Sequence, residues 1–162
     1  MNPDIKRIIV PVDFSAPSLA AARFACGLAT KLGARVYLIH VVPTPPLVTR
    51  RVDAASASPH WELAGAELAK LRQQLGTRQI TTEVRTGDVD EAISGAVVAY
   101  GVDLIVMATH GRSGVPHLLF GSVAEQVIRT APCPVLVMRD SGKIRVHNAV
   151  MEVKEERIAQ MV

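Results

Sequence analysis

The sequence predicts an α/β domain built on a five-stranded parallel sheet, doubly wound, with helices on both faces. Three observations predict it. Short β-branched apolar runs recur at 8–12, 35–42, 80–85, 103–108 and 134–138. Between them lie longer segments whose apolar residues repeat at helical spacing. The two kinds alternate in the order β-α-β-α-β-α-β-α-β, and right-handed crossovers then leave the strands parallel with a helix layer on either side.

Each element has its own signal. Ile8-Ile9-Val10-Pro11-Val12 is apolar throughout, as a strand covered on both faces must be, and it ends at Asp13. Ser15 and Pro17 mark a helix start, Leu19, Ala22, Ala25, Cys26, Ala29 and Leu32 follow at helical spacing, and Gly33 closes the segment. Residues 35–42 form a second buried strand, stopped by Pro43, Pro45 and Pro46. The proline-rich stretch 43–58 reads as a long irregular loop, which compact domains keep for function or motion. A second helix runs from about Pro59 to Leu75, with Leu63, Ala66, Leu68, Leu71 and Leu75 on its apolar side and Gly76 as its stop.

Residues 80–85 alternate more than the other strands, which places them at a sheet edge. Asp88 caps a third helix that ends at Tyr100-Gly101. The fourth strand is 103–108. A polar, glycine-containing loop follows it, Gly121-Ser122 opens a helix reaching Thr130, and 134–138 is the fifth strand. Ile144-Arg145-Val146 is a further strand candidate, and 150–162 reads as a helix. The chain thus divides into a domain, 1–140, and a C-terminal extension, 141–162, that is helical or packs on a second subunit.

Composition narrows the function classes. The 162 residues are 49% hydrophobic and 20% charged, and mean hydropathy is +0.25, so the chain has enough apolar surface for one core. Net charge is +3 and aromatics are 4%, without the basic stripe and stacking aromatics that a nucleic-acid binder displays, so no nucleic-acid partner is expected. No apolar run approaches the ~20 residues that span a bilayer, and no signal peptide opens the chain, so no membrane partner and a cytoplasmic location are expected. Cys26 and Cys133 stand far apart in apolar surroundings and read as two buried reduced thiols. No metal-ligand spacing occurs.

Ligands in an open parallel sheet bind outside the carboxyl ends of the strands, where strand order reverses. Two pieces of sequence fall at such ends. The first strand delivers Asp13 and Ser15. The fourth delivers Thr109-His110-Gly111-Arg112-Ser113-Gly114 and, after a spacer, Gly121-Ser122 at a helix start. Glycines let the main chain approach an anion, and a helix N-terminus offers free N–H groups with a partial positive charge. Ser122 serves as cap or phosphate donor, and Arg112 adds a planar cationic fork. The set describes a phosphate cradle. Asp13 also reads as a cap for the turn, and a glycine loop that only turns the chain is the plainer reading of 109–121.

A catalytic centre is poorly supported. His110 has no carboxylate partner nearby in sequence, and Ser122 lacks the Gly-x-Ser-x-Gly elbow of a nucleophile. Neither a Walker loop nor a Gly-x-Gly-x-x-Gly fingerprint is present.

The string Ala-Thr-His-Gly, nine residues, then Gly-Ser, followed by Pro-Cys-Pro-Val-Leu-Val, resembles the universal stress protein family, as does the opening Ile-Ile-Val-Pro-Val-Asp-Phe-Ser. The resemblance spans roughly residues 5–138 and implies a Rossmann-like sheet; the expected strand order is 3-2-1-4-5. ATP-binding members carry Gly-x-x-Gly, nine residues, Gly-Ser/Thr. This chain matches at Gly111, Gly121 and Ser122 and departs at the first glycine, where Ala108 stands.

What the resemblance implies is an ATP site, with Mg2+ on the phosphates. Asp13 would face the ribose or adenine, and Pro11, Val12 and Val41 would line the base. Met107 and Ala108 would border the ribose, and Gly111, Arg112, Gly121, Ser122 and Val123 would hold the triphosphate. Ser15 and Gly114 complete the expected nucleotide-binding set. It also implies a homodimer paired antiparallel through the fifth strand, 134–138.

The expected function is therefore regulatory binding of ATP in a stress response, without rapid turnover. The replacement at Ala108 favours an alternative, a dimeric interaction module that binds no nucleotide. A slow ATPase or a nucleotidyl- or phosphoryl-transfer enzyme is a third reading, and it needs a base that the sequence does not display.

Overall fold

The computed structural model describes residues 4–43, 58–76, 79–109, 121–138 and 144–146. Its elements are β1 (Arg7–Pro11), α1 (Ala16–Leu32), β2 (Arg35–Pro43), α2 (Ser58–Leu75), β3 (Ile80–Gly87), α3 (Val89–Tyr100), β4 (Leu104–Ala108), α4 (Ser122–Thr130), β5 (Val135–Met138) and β6 (Ile144–Val146). The strands form one sheet in the order β3-β2-β1-β4-β5-β6. The first five are parallel in the expected order 3-2-1-4-5, and β6 adds an antiparallel strand beyond β5.

Local chemistry sets the boundaries. The Ser15 side chain accepts the Ser18 N–H at the start of α1, and Gly33 ends that helix at φ 67°, a left-handed conformation that glycine adopts without a Cβ penalty. Asp88 accepts from the N–H groups of Asp90 and Glu91 at the start of α3. β3 lies at the edge of the sheet, as its alternation predicts.

The sheet separates two cores. Ile8, Val10, Val36, Leu38 and Val106 face α1 and α2, where Ala21, Ala22, Ala25 and Ala29 let α1 approach closely. Ile9, Tyr37, Ile39, Ile105 and Met107 face α3 and α4 through Ile93, Ala96, Val97, Ala124 and Val127. Cys26 and Cys133 are both buried and not disulfide-bonded, one in each core.

One helix face differs from its sequence reading. In α2 the buried residues are Ala64, Leu68 and Leu71, while Leu63 is 65% exposed and Ala66 is exposed. The core stripe is 64, 68, 71, 75, and Leu63 stands about 100° round the helix from Ala64. Of the expected loop 43–58, Pro43 ends β2 and Ser58 opens α2, while residues 44–57, like the candidate helix 150–162, lie outside the described residues. Among the described residues, no helix is long and apolar enough to cross a membrane.

Candidate functional site

The topological switch point lies between β1 and β4, because the chain leaves β1 toward β2 on one side and β4 toward β5 on the other. These two strands pair only at Ile8–Leu104 and Ile9–Ile105. β1 pairs with β2 as far as Pro11, and β4 with β5 as far as Ala108. Beyond Ile9 and Ile105, β1 and β4 therefore part, and the gap opens at their carboxyl ends.

A cavity of about 590 Å³ occupies that end of the sheet. β1 and its turn contribute Pro11, Val12, Asp13 and Phe14; β2 contributes Val41 with Ile39, His40, Val42 and Pro43. β4 supplies Met107 and Ala108, and the start of α4 supplies Gly121, Ser122, Val123 and Ala124. The structure thus brings together Pro11, Val12, Asp13, Val41, Met107, Ala108, Gly121, Ser122 and Val123 from the expected set. Ser15 is not among the lining residues. Gly111, Arg112 and Gly114, with His110, lie outside the described residues.

Asp13 and Ser15 build the β1–α1 turn. Asp13 Oδ1 accepts the Ser15 N–H at 3.0 Å and the Ser15 hydroxyl at 2.5 Å. Ser15 is thereby oriented as the cap of α1, and the Asp13 carboxylate is held at the cavity wall by the same turn. Ser18, 4% exposed, donates its hydroxyl to Ser15 O at 3.0 Å and accepts the Asp13 N–H at 3.3 Å. His40 Nδ1 lies 2.7 Å from Val12 O, so that nitrogen carries the proton, since a carbonyl oxygen only accepts. The His40 ring also packs against Phe14, tilted by 35° with centroids 4.7 Å apart.

The opposite wall is the N-terminus of α4. Its N-cap is Gly121, at φ −70° and ψ 157°, and among the described residues no side chain caps the first N–H groups. Any residue adopts that backbone, so what glycine contributes is the missing side chain at the mouth of the helix. Glu125 in the first turn pairs with Arg129 at 3.1 Å, both exposed. The N–H groups at the start of α4 make this wall receptive to an anion.

Thr109, 3% exposed, closes the neck of the loop between β4 and α4. Its N–H donates to Met138 O at 2.9 Å, and its carbonyl accepts the Gly121 N–H at 2.7 Å. Ala108, at the end of β4, is not among the described residues of positive φ; of the non-glycine residues only Phe14 is. A glycine there is not required by the backbone, and the alanine methyl stands at the cavity wall.

Sequence reasoning missed one wall. His60, Leu63, Ala64 and Glu67 line the cavity from α2, and Val89 and Ile93 from α3. The spacing 60, 63, 64, 67 marks one face of a helix. That periodicity was the available signal, hidden by its overlap with the core stripe at Ala64. Among the described residues, no group of three or more His, Cys, Asp or Glu is arranged to hold a metal ion.

Fold and site define a class: a doubly wound α/β domain whose crevice opens at the switch point and is walled by a helix N-terminus. The model of the Universal stress protein family matches residues 4–139. The chain is 36% identical to the universal stress protein MJ0531 of Methanocaldococcus jannaschii, over 85% of this chain and 84% of that one. The solved structure of hypothetical protein MJ0577, from the same organism, matches with a TM-score of 0.75 at 26% identity, over 83% of this chain and 96% of that one. A universal stress protein of Archaeoglobus fulgidus, solved in complex with dAMP, matches with a TM-score of 0.60 at 22% identity, over 86% and 98%. The chain belongs to the universal stress protein family.

Proposed function

We propose that this chain binds an adenine nucleotide, ATP with Mg2+ first among them, in the crevice between β1 and β4, and acts as a regulatory protein of a stress response. The observation that carries the reading is the N-terminus of α4, with the side-chain-free Gly121 as its N-cap, lining one cavity with the Asp13 turn. The base lies against Pro11, Val12 and Val41, the ribose against Asp13, Met107 and Ala108, and the phosphates against Gly121, Ser122 and Val123. Gly111, Arg112 and Gly114 extend the phosphate site in sequence. The dAMP in the Archaeoglobus fulgidus protein is a ligand of that class on the same fold. Mg2+ needs no protein cage here, because it sits on phosphate oxygens and water.

The Asp13 carboxylate and the His40 imidazole, which line the crevice, both already hold the β1–α1 turn together, which favours binding over turnover; His60 and Glu67 line it from α2. A homodimer joined through residues 134–138 belongs to the same reading. The alternative, an interaction module without nucleotide, draws on the Ala108 methyl at the wall.

Isothermal titration of the full chain with MgATP decides between them. The expected result is saturable heat at micromolar ligand and mass-spectrometric detection of an adenine nucleotide on denaturing the purified protein. Absence of heat with the folded chain, restored in Ala108→Gly, would establish the module instead.

A further inference from the structure

The outer edge of β5 is already paired. β6 runs antiparallel to it, with Leu136 opposite Val146, Val137 opposite Arg145 and Met138 opposite Ile144. A strand edge presents a single row of N–H and C=O groups, and each group that pairs with β6 is withdrawn from any other strand. Homodimerisation through residues 134–138 needs that same row. The two arrangements exclude each other.

We propose that residues 144–146 are an intramolecular cover for the edge of β5, competing with a second copy of this chain, so that self-association through β5 occurs only in molecules whose β6 has detached. The inference rests on the β5 pairing proposed above and is independent of nucleotide binding.

A second copy is the occupant that the edge fits. Val135-Leu136-Val137-Met138 is uncharged and apolar, and an antiparallel pair of identical strands closes on a two-fold axis without leaving a new edge. Among the described residues β6 pairs with Leu136, Val137 and Met138, and a second β5 competes for those same groups.

The outer edge of β6 does not take over the role. Arg145 is its middle residue, so self-pairing about the strand centre sets two arginine positions opposite each other. The covered form therefore offers neither edge readily to a second copy.

The test locks or removes the cover in the full chain. Leu136→Cys with Val146→Cys places two thiols directly opposite each other, at a separation that a disulfide spans. Ile144→Pro with Arg145→Pro removes whichever of two alternating N–H groups faces β5. Light scattering across a concentration series reads the mass of each variant, circular dichroism confirms folding, and MgATP titration reports the nucleotide reading separately.

The oxidised dicysteine chain is expected to stay monomeric with its disulfide inside one chain. The proline variant is expected to dimerise at a concentration at least tenfold below that of the unsubstituted protein. Equal dimerisation of the oxidised and reduced dicysteine forms, a disulfide between chains, or a folded proline variant that stays monomeric throughout would each overturn the proposal.

Discussion

Phe14 has φ 63°, a conformation that costs an L-residue with a bulky side chain roughly 1–2 kcal/mol. It survives because the turn around it is over-determined: the Asp13–Ser15 hydrogen bonds fix its neighbours, and the His40 ring packs against its own. Such strain collects at ligand sites, and this one lies on the cavity wall. Nothing in the string Asp13-Phe14-Ser15 announces it, because Asp and Ser mark a turn while Phe hides the left-handed backbone that a glycine would have advertised.

A second cluster, away from the cavity, sets a pH dependence. The Tyr100 hydroxyl donates to Glu83 Oε2 at 2.5 Å, Arg85 Nε donates to Glu83 Oε1 at 2.9 Å, and the Tyr100 ring stacks on Tyr37. The hydrogen bond to Glu83 raises the Tyr100 pKa, with burial and the Glu83 charge adding to the effect and Arg85 opposing it. The folded protein thus holds this proton more tightly than the unfolded chain. That stability is complete below the ordinary tyrosine range near pH 10 and is lost as pH rises through the raised folded value. Tyr100→Phe should cost about 1 kcal/mol at pH 7, for one hydrogen bond to a charged acceptor at a half-exposed site. It should also flatten the decline above pH 10. Urea unfolding between pH 7 and 11 checks this; parallel declines in the two proteins would refute the assignment.

Elements were legible wherever a local signal marks a boundary. Ser15, Gly33, Asp88 and Gly101 end or begin helices in the structure as their residue types foretell, since caps act within one turn of chain. The inward face of α2 was not legible. Leu63 and Leu68 are equally apolar in sequence, yet Leu68 is 1% exposed and Leu63 is 65% exposed. Helical periodicity shows that a side is apolar but not whether it meets the core or a crevice, which depends on β2 and β3 beside it. The start of α4 was read from Gly121-Ser122 and is found at the cavity.

That helix start carries a sharp prediction. Ser122 is the first residue of α4, a position where proline fits without disturbing the helix. Ser122→Pro removes both the N–H and the hydroxyl from the phosphate wall, whereas Ser122→Ala removes only the hydroxyl. Proline should weaken MgATP binding at least tenfold, about 1.4 kcal/mol, and alanine by less. Titration calorimetry measures both. Equal losses would mean that the hydroxyl alone holds the ligand, and no loss in either would place the phosphates elsewhere.

For the whole molecule, the alternation of strand and helix was enough to foresee a parallel sheet, because βαβ handedness leaves few ways to arrange it. The sixth strand shows where that logic ends. Ile144-Arg145-Val146 is too short to display a period, and its partner is decided by the free edge of β5 rather than by its own residues. The crevice has the same non-local origin, since β1 and β4 part beyond Ile9 and Ile105 while their other neighbours stay paired.

A ligand in that gap touches both layers of the fold, α1 and α2 through Ser18 and Ala64, α3 and α4 through Ile93 and Ala124. Occupancy should therefore stabilise the molecule as one unit. Ligand at one hundred times its Kd adds about 2.7 kcal/mol to a protein that binds it only when folded. At roughly 2–4 °C per kcal/mol for a chain of this size, MgATP should raise the melting temperature by roughly 5–11 °C. The rise should shrink in Ser122→Pro at the same ligand concentration. Scanning calorimetry with and without MgATP provides the measurement. An unchanged melting temperature, at a concentration that saturates the titration, would show that the nucleotide binds the unfolded chain equally well.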